Sequence, residues 1–142
     1  MREIKFRAWH FGQNRMFSAE EMTNDQMALL PDGHFANISG EQLEKTVVYP
    51  HETMLPLQFT GLKDCKGREI YEGDILRYTE SVWNVDSPPT YSLKTRIIVV
   101  DEASDLANDF NDTFGWNIPY SDNIEVVGNK FENPELLEES NA

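Results

Sequence analysis

Cysteine occurs once in the 142 residues, at Cys65. One thiol cannot close an intramolecular disulfide, which removes disulfide-stapled secreted scaffolds from consideration. Long apolar runs are missing too. No segment approaches the ~20 apolar residues of a membrane span, and the opening MREIKFRAWHF has no apolar run of signal-peptide length. No membrane association and a reducing, cytoplasmic setting are expected. Basic residues are scarce: 12 Lys+Arg face 25 Asp+Glu, a net charge of -13. Phosphate binding relies on Lys and Arg clusters, so direct nucleic-acid binding is not expected. Electrostatic docking on anionic lipid is disfavoured for the same reason.

The charge that is present is uneven. Residues 1–71 carry 8 Lys+Arg and 10 Asp+Glu, net -2, whereas residues 72–142 carry 4 and 15, net -11. An acidic surface keeps a protein soluble, and an acidic face can also dock a partner. The apolar fraction is 39% and the aromatic fraction 11%, enough for a packed core in place of disorder.

Strand signals dominate the chain. Ile4 to Trp9 alternates apolar with basic residues, and Met16-Phe17 resumes after a turn at Phe11–Arg15, so an N-terminal hairpin is predicted. Alternation sets Phe6 and the cations on opposite faces, with the aromatic face toward a core or a subunit. Ser18 can cap a short helix that has Glu20 and Glu21 in its first turn. Residues 20–30 otherwise read as irregular or briefly helical. Val47–Tyr49 and Met54–Thr60 are predicted strands, the second with an edge or bulge at Pro56. Asp64-Cys65-Lys66-Gly67 has the Asp and Gly spacing of a type I turn, and Glu72-Gly73-Asp74 makes a second break before Ile75–Tyr78. Residues 80–90 read as a long flexible hairpin tip. Thr95–Val100 is the strongest strand. A helical turn around Leu106 and Phe110, strands at Phe114–Ile118 and Ile124–Gly128, and a helix capped by Asn133 with Pro134 at its first position complete the reading. The expected fold is mainly β: a small SH3-like or partly open barrel, an N-terminal β-hairpin and few short helices. The expected division is 1–60, hairpin and middle segment, and 61–142, an acidic barrel-like region with a helical tail.

Catalytic patterns are sparse. His10, His34 and His51 have no His or Cys partner at ligand spacing, so no zinc site is expected. The acidic residues 105–112 fail the EF-hand spacing from either Asp109 or Asp105. Cys65 has Lys63 and Lys66 nearby but no histidine close in sequence. Gly61, Gly67 and Gly73 are too far apart for a phosphate loop. Asp64, Glu72 and Asp74 are carboxylates able in principle to bind a divalent metal, although Asp beside turn glycine is ordinary turn chemistry. No cofactor, metal or catalytic residue is assigned.

The segments IKFRAWH, LQFTGLKDCKGREIYEGDIL and IEVVGNKFENPELLEE together resemble the YopX family, small proteins of phages and prophages in Gram-positive bacteria. The resemblance runs from near residue 4 to near residue 139. His10 stands where the family often has Asp, and Lys66 where Asn often precedes the turn glycine. The resemblance implies a phage or prophage origin and a bacterial cytoplasm, and it brings no enzyme activity. Its signature residues here are Gly61, Asp64, Gly67, Ile70, Tyr71, Gly73 and Asp74, which read as turn, bend and core positions. The resulting expectation is a non-catalytic accessory protein that binds a host or phage protein and forms a homo-oligomer. An acidic DNA mimic that inhibits a nucleic-acid enzyme is the alternative, and a nuclease using Asp64, Glu72 and Asp74 stands behind it.

Overall fold

Alternating apolar residues at the N-terminus need a sheet to bury one face, and that sheet organises the first half of the chain. The computed structural model describes residues 3–38, 47–85, 87–101, 118 and 123–139. They belong to two units, Met1–Phe59 and Thr60–Ala142.

In the first unit, β1 (Phe6–His10) pairs antiparallel with β2 (Arg15–Phe17), Trp9 facing Met16. On its other side β1 pairs with β6 (Met54–Lys63), Ala8 facing Pro56. Pro56 has no N–H to give, and within this unit its stretch of β6 is an outer strand. Ser18 caps α1 (Ala19–Asn24) in a capping box: its hydroxyl accepts the Glu21 N–H while the Glu21 carboxylate accepts the Ser18 N–H. The helix stops sooner than residues 20–30 suggested. The chain turns at Gln26 and continues as β3 (Met27–Leu29), which pairs with β4 (Phe35–Asn37), itself paired with β5 (Val47–Tyr49). Ala8, Met22, Phe35 and Met54 form the core, with Phe6, Phe17, Met27, Leu29 and Tyr49 packed around it. Phe6 packs against this core, and Trp9 is buried as well.

In the second unit, β6 continues beyond Phe59 and has β7 (Glu69–Tyr71) as its neighbour. A further sheet has the order β10-β8-β9, from β8 (Asp74–Asn84), β9 (Thr90–Val99) and β10 (Glu125–Asn129). β8 and β9 stay paired from Ile75 opposite Val99 to Asn84 opposite Thr90. The long flexible hairpin tip expected over residues 80–90 is thus corrected: strand pairing reaches Asn84 and resumes at Thr90. The β-branched and aromatic residues Thr79, Val82, Trp83, Tyr91 and Thr95 favour extended backbone, although the stretch has no clean alternation. α2 (Glu135–Glu139) closes the described chain. The Asn133 side chain accepts the Asn129 N–H, which ties it backward to β10. Ile70, Leu76, Val100, Ile118 and Ile124 form this unit's core.

The fold is mainly β, with a curled half-barrel sheet and two short helices among the described residues. No helix among them is long and apolar enough to cross a membrane. The helical turn expected at Leu106 and Phe110 lies outside the described residues, as does the strand at Phe114–Ile118 except for Ile118.

Candidate functional site

The central motif folds as two linked turns. Asp64 begins the first, with the Gly67 N–H on the Asp64 carbonyl at 3.0 Å. Gly67 has φ +83, a conformation only glycine adopts without strain. The Asp64 carboxylate is buried and accepts three backbone N–H groups: Lys66 at 2.9 Å and Arg68 at 2.8 Å on Oδ1, and Val126 at 2.9 Å on Oδ2. Burial pushes this carboxyl up, but the N–H groups of Val126, Arg68 and Lys66, with the Arg68 charge, outweigh it and hold it below its ordinary 3.8. The same turn reaches β10 by further bonds. The Cys65 N–H donates to the Ile124 carbonyl at 2.8 Å, and Lys66 pairs with Glu125 at 2.9 Å.

Gly73 centres the second turn. Its N–H donates to the Val100 carbonyl at 2.8 Å, and its carbonyl accepts the Lys130 N–H at 2.9 Å. Asp74 is buried, and its Oδ2 accepts the Tyr71 N–H at 2.8 Å. Ile70 and Tyr71 are buried, and Gly61 lies within β6. The seven signature residues thus gather in the second unit, where the two carboxylates bind backbone donors. Among the described residues no group of three or more His, Cys, Asp or Glu is arranged to hold a metal ion.

The chemically open surface lies along the β8–β9 ribbon. Opposed residues of an antiparallel pair share a face. One face carries Thr79, Ser81 and Trp83 opposite Thr95, Leu93 and Tyr91, none of them charged. Trp83 is 51% exposed, Tyr91 69%, Leu93 75%, and Val85 in the connecting loop 91%. Trp83 and Tyr91 meet edge to face at 4.6 Å, which presents them as one apolar block. The other face holds Glu80, Lys94 and Arg96, with Arg96 on Glu80 at 2.7 Å, while Arg77, opposite Ile97 on the first face, is paired with Glu125 at 3.2 Å. Sequence reading missed this site because it took the segment for a loop. The available signal was the pair of aromatic and β-branched stretches on either side of Ser87-Pro88-Pro89. Sequence separation also concealed His34 and His51, whose rings stack at 4.4 Å.

A crystal structure of protein EF1440 from Enterococcus faecalis is similar along nearly its whole length. The TM-score is 0.55 and the identity 26%, over 96% of this chain and 99% of that one. No curated protein matches the chain. The family model described as YopX protein matches residues 5–138. The chain belongs to the YopX family.

Proposed function

We propose that the chain is an accessory protein of phage or prophage origin. It acts in the cytoplasm of a bacterial host by binding another protein, not by catalysis. The observation that carries this reading is the exposed apolar patch of Trp83, Tyr91, Leu93 and Val85 on a chain of net charge -13. Contiguous apolar surface of this kind marks interaction sites. The four side chains expose about 500 Å² together, taking ~150–250 Å² for each aromatic residue. A stable interface needs roughly 800 Å² per partner. The apolar face therefore requires surrounding surface. Residues 72–142 carry net -11 in all, although the ribbon itself holds Arg77, Lys94 and Arg96 against Glu80. Long-range attraction to the acidic chain favours a host or phage protein with an apolar patch bordered by Lys and Arg.

Self-association through the same face, with β9 as an open sheet edge, is the competing occupant. Salt separates the two. Binding to a basic-rimmed partner weakens as salt rises, whereas pairing of two acidic chains strengthens. The acidic-mimic reading has less support, because Glu80 and Glu125 are bridged to Arg96, Lys66 and Arg77. The nuclease reading asks metal binding of Asp64 and Asp74, carboxylates already engaged by backbone. The test is capture from host lysate by the wild-type chain and by a Trp83→Ser/Leu93→Ser variant, with sedimentation of both. A partner lost in the variant and in high salt is expected. Capture that is equal for both chains refutes the reading.

A further inference from the structure

A cavity of about 270 Å³ opens within the first unit, lined by residues from β1 to β6. Its apolar wall is Phe17, Met22, Met27, Tyr49 and Met54. Three of the chain's five methionines are therefore collected in one place. Methionine is unbranched and polarizable, suited to a wall that adapts to a small guest. Polar groups converge on the same space from His10, Gln13, Asp25 and Asn37. The His10 Nδ1 accepts the Gln13 N–H at 3.0 Å, which leaves Nε2 as the ring nitrogen open to a guest. Neither the Asp25 carboxylate nor the Gln13 amide has a hydrogen bond or ion pair within the described protein.

Backbone conformation adds an independent observation. Among the described residues, the non-glycine residues with positive φ are Asn14, at +51, and Gln26, at +59. Both adjoin this cavity in sequence. Gln26 lies between Asp25 and Met27, and its left-handed turn leads the chain from α1 into β3 while both neighbours stay on the lining. Asn14 follows Gln13. Strained conformations of this kind cluster at ligand sites, because the surrounding fold is built to hold them.

Among the described lining residues the carboxylate is Asp25, at the C-terminal end of α1, where free carbonyl ends add negative potential. They include no Lys or Arg. Arg15, which sits 4.3 Å over the Phe17 ring of the lining, is paired with Glu21, so its charge is already compensated. We propose that this cavity binds a small organic cation: an amine or guanidinium head directed at Asp25, on an apolar stem lying against Phe17, Tyr49 and the methionines. The volume suits a stem and head of about ten non-hydrogen atoms, at the small end of ligand pockets. The site is separate from the β8–β9 ribbon and does not depend on that reading.

The test is backbone-amide NMR titration of the full chain with three probes. Phenethylamine represents a free amine, N-acetyl-arginine amide a peptide-borne cation, and 2-phenylethanol a neutral control of equal size. Saturable shifts confined to His10, Gln13, Met22, Met27 and Tyr49 are expected for at least one cation. The cation that binds better identifies the source. The neutral alcohol should bind several-fold more weakly, and Asp25→Asn should weaken the cation about threefold to tenfold while leaving the alcohol unchanged. Asp25 is exposed, so the variant keeps the fold, which its unshifted core resonances verify. No saturable shift with either cation, or equal binding of cation and alcohol, overturns the proposal. So does an Asp25→Asn variant that binds the cation as well as wild type.

Discussion

Replacing Asp64 by alanine should destabilise the chain strongly for a single turn residue. Three backbone N–H groups, at 2.8 to 2.9 Å, lose their acceptor together. Hydrogen bonds to charged groups contribute about 1.5–3 kcal/mol each, and a donor left unsatisfied carries its own cost. The turn lies close to water, which recovers part of the loss. A net cost of about 3–5 kcal/mol is therefore expected, a large share of the 5–15 kcal/mol typical of a folded domain. Asp64→Asn keeps one acceptor and turns an NH₂ toward a donor, so it should cost about half as much. Urea denaturation followed by tryptophan fluorescence and circular dichroism measures both, and the alanine variant should melt about 10 °C lower. The pH dependence gives a second check. The folded Asp64 carboxyl titrates below 3.8, whereas the unfolded one protonates near that value. As pH falls, the unfolded chain takes up this proton first. Asp64's contribution is therefore complete above about pH 5, declines through 3.8, and is lost below the lowered native value. The gap between wild type and Asp64→Asn should shrink from pH 6 to pH 3. An alanine cost under about 1 kcal/mol, or a gap that does not change with pH, refutes the reasoning.

Glycine substitutions should separate strain from collision. Gly67→Ala meets no atom within 4 Å but keeps φ +83, so about 1–2 kcal/mol is expected by chemical denaturation. Gly128→Ala would set its Cβ 2.5 Å from Asn133 Oδ1, the atom that accepts the Asn129 N–H. It should cost at least as much, with the amide signal of Asn129 shifting most. Ser18→Ala removes the hydroxyl of the capping box and should cost about 1 kcal/mol, detected as a lower urea midpoint. The Trp83→Ser/Leu93→Ser variant should unfold within about 0.5 kcal/mol per substitution of wild type, since both side chains face water. A large loss there would mean that the ribbon face is packed, not open.

Local chemistry was legible in the sequence wherever a few adjacent residues decide the outcome. Ser18 with Glu21 specifies a cap, Asp64 with Gly67 specifies a turn, and alternation from Ile4 to Trp9 specifies a strand. Each of these is settled within six residues. The three-residue strands β3 and β4 were illegible because their register comes from partners: Ala28 faces Ala36, and Leu29 faces Phe35. The outer ribbon was misread for a related reason. Residues 80–84 are mixed in polarity, and their extended state depends on pairing with residues 90–94 across a proline loop. The turn residues of the central motif were visible, but not the third bond of Asp64, whose donor lies 62 positions away at Val126. The cavity was invisible for the same reason, since its lining is drawn from seven separate elements and their connecting turns.

The seam between the two units falls inside β6, between Phe59 and Thr60. Just before it, the Phe59 N–H donates to the Lys5 carbonyl. Just after it, the Thr60 hydroxyl donates to the Ile70 carbonyl and accepts the Leu62 N–H. Each half thus completes itself with one end of a single uninterrupted strand. A recombination event at this boundary would hand over half a strand and leave two backbone ladders without partners. Neither half should therefore fold as a separable cassette in the way linker-joined modules do. Substitution and length change between Asn84 and Thr90 leave the β8–β9 ladder intact. Within the family, the two halves should be inherited together, with length variation gathered at such loops.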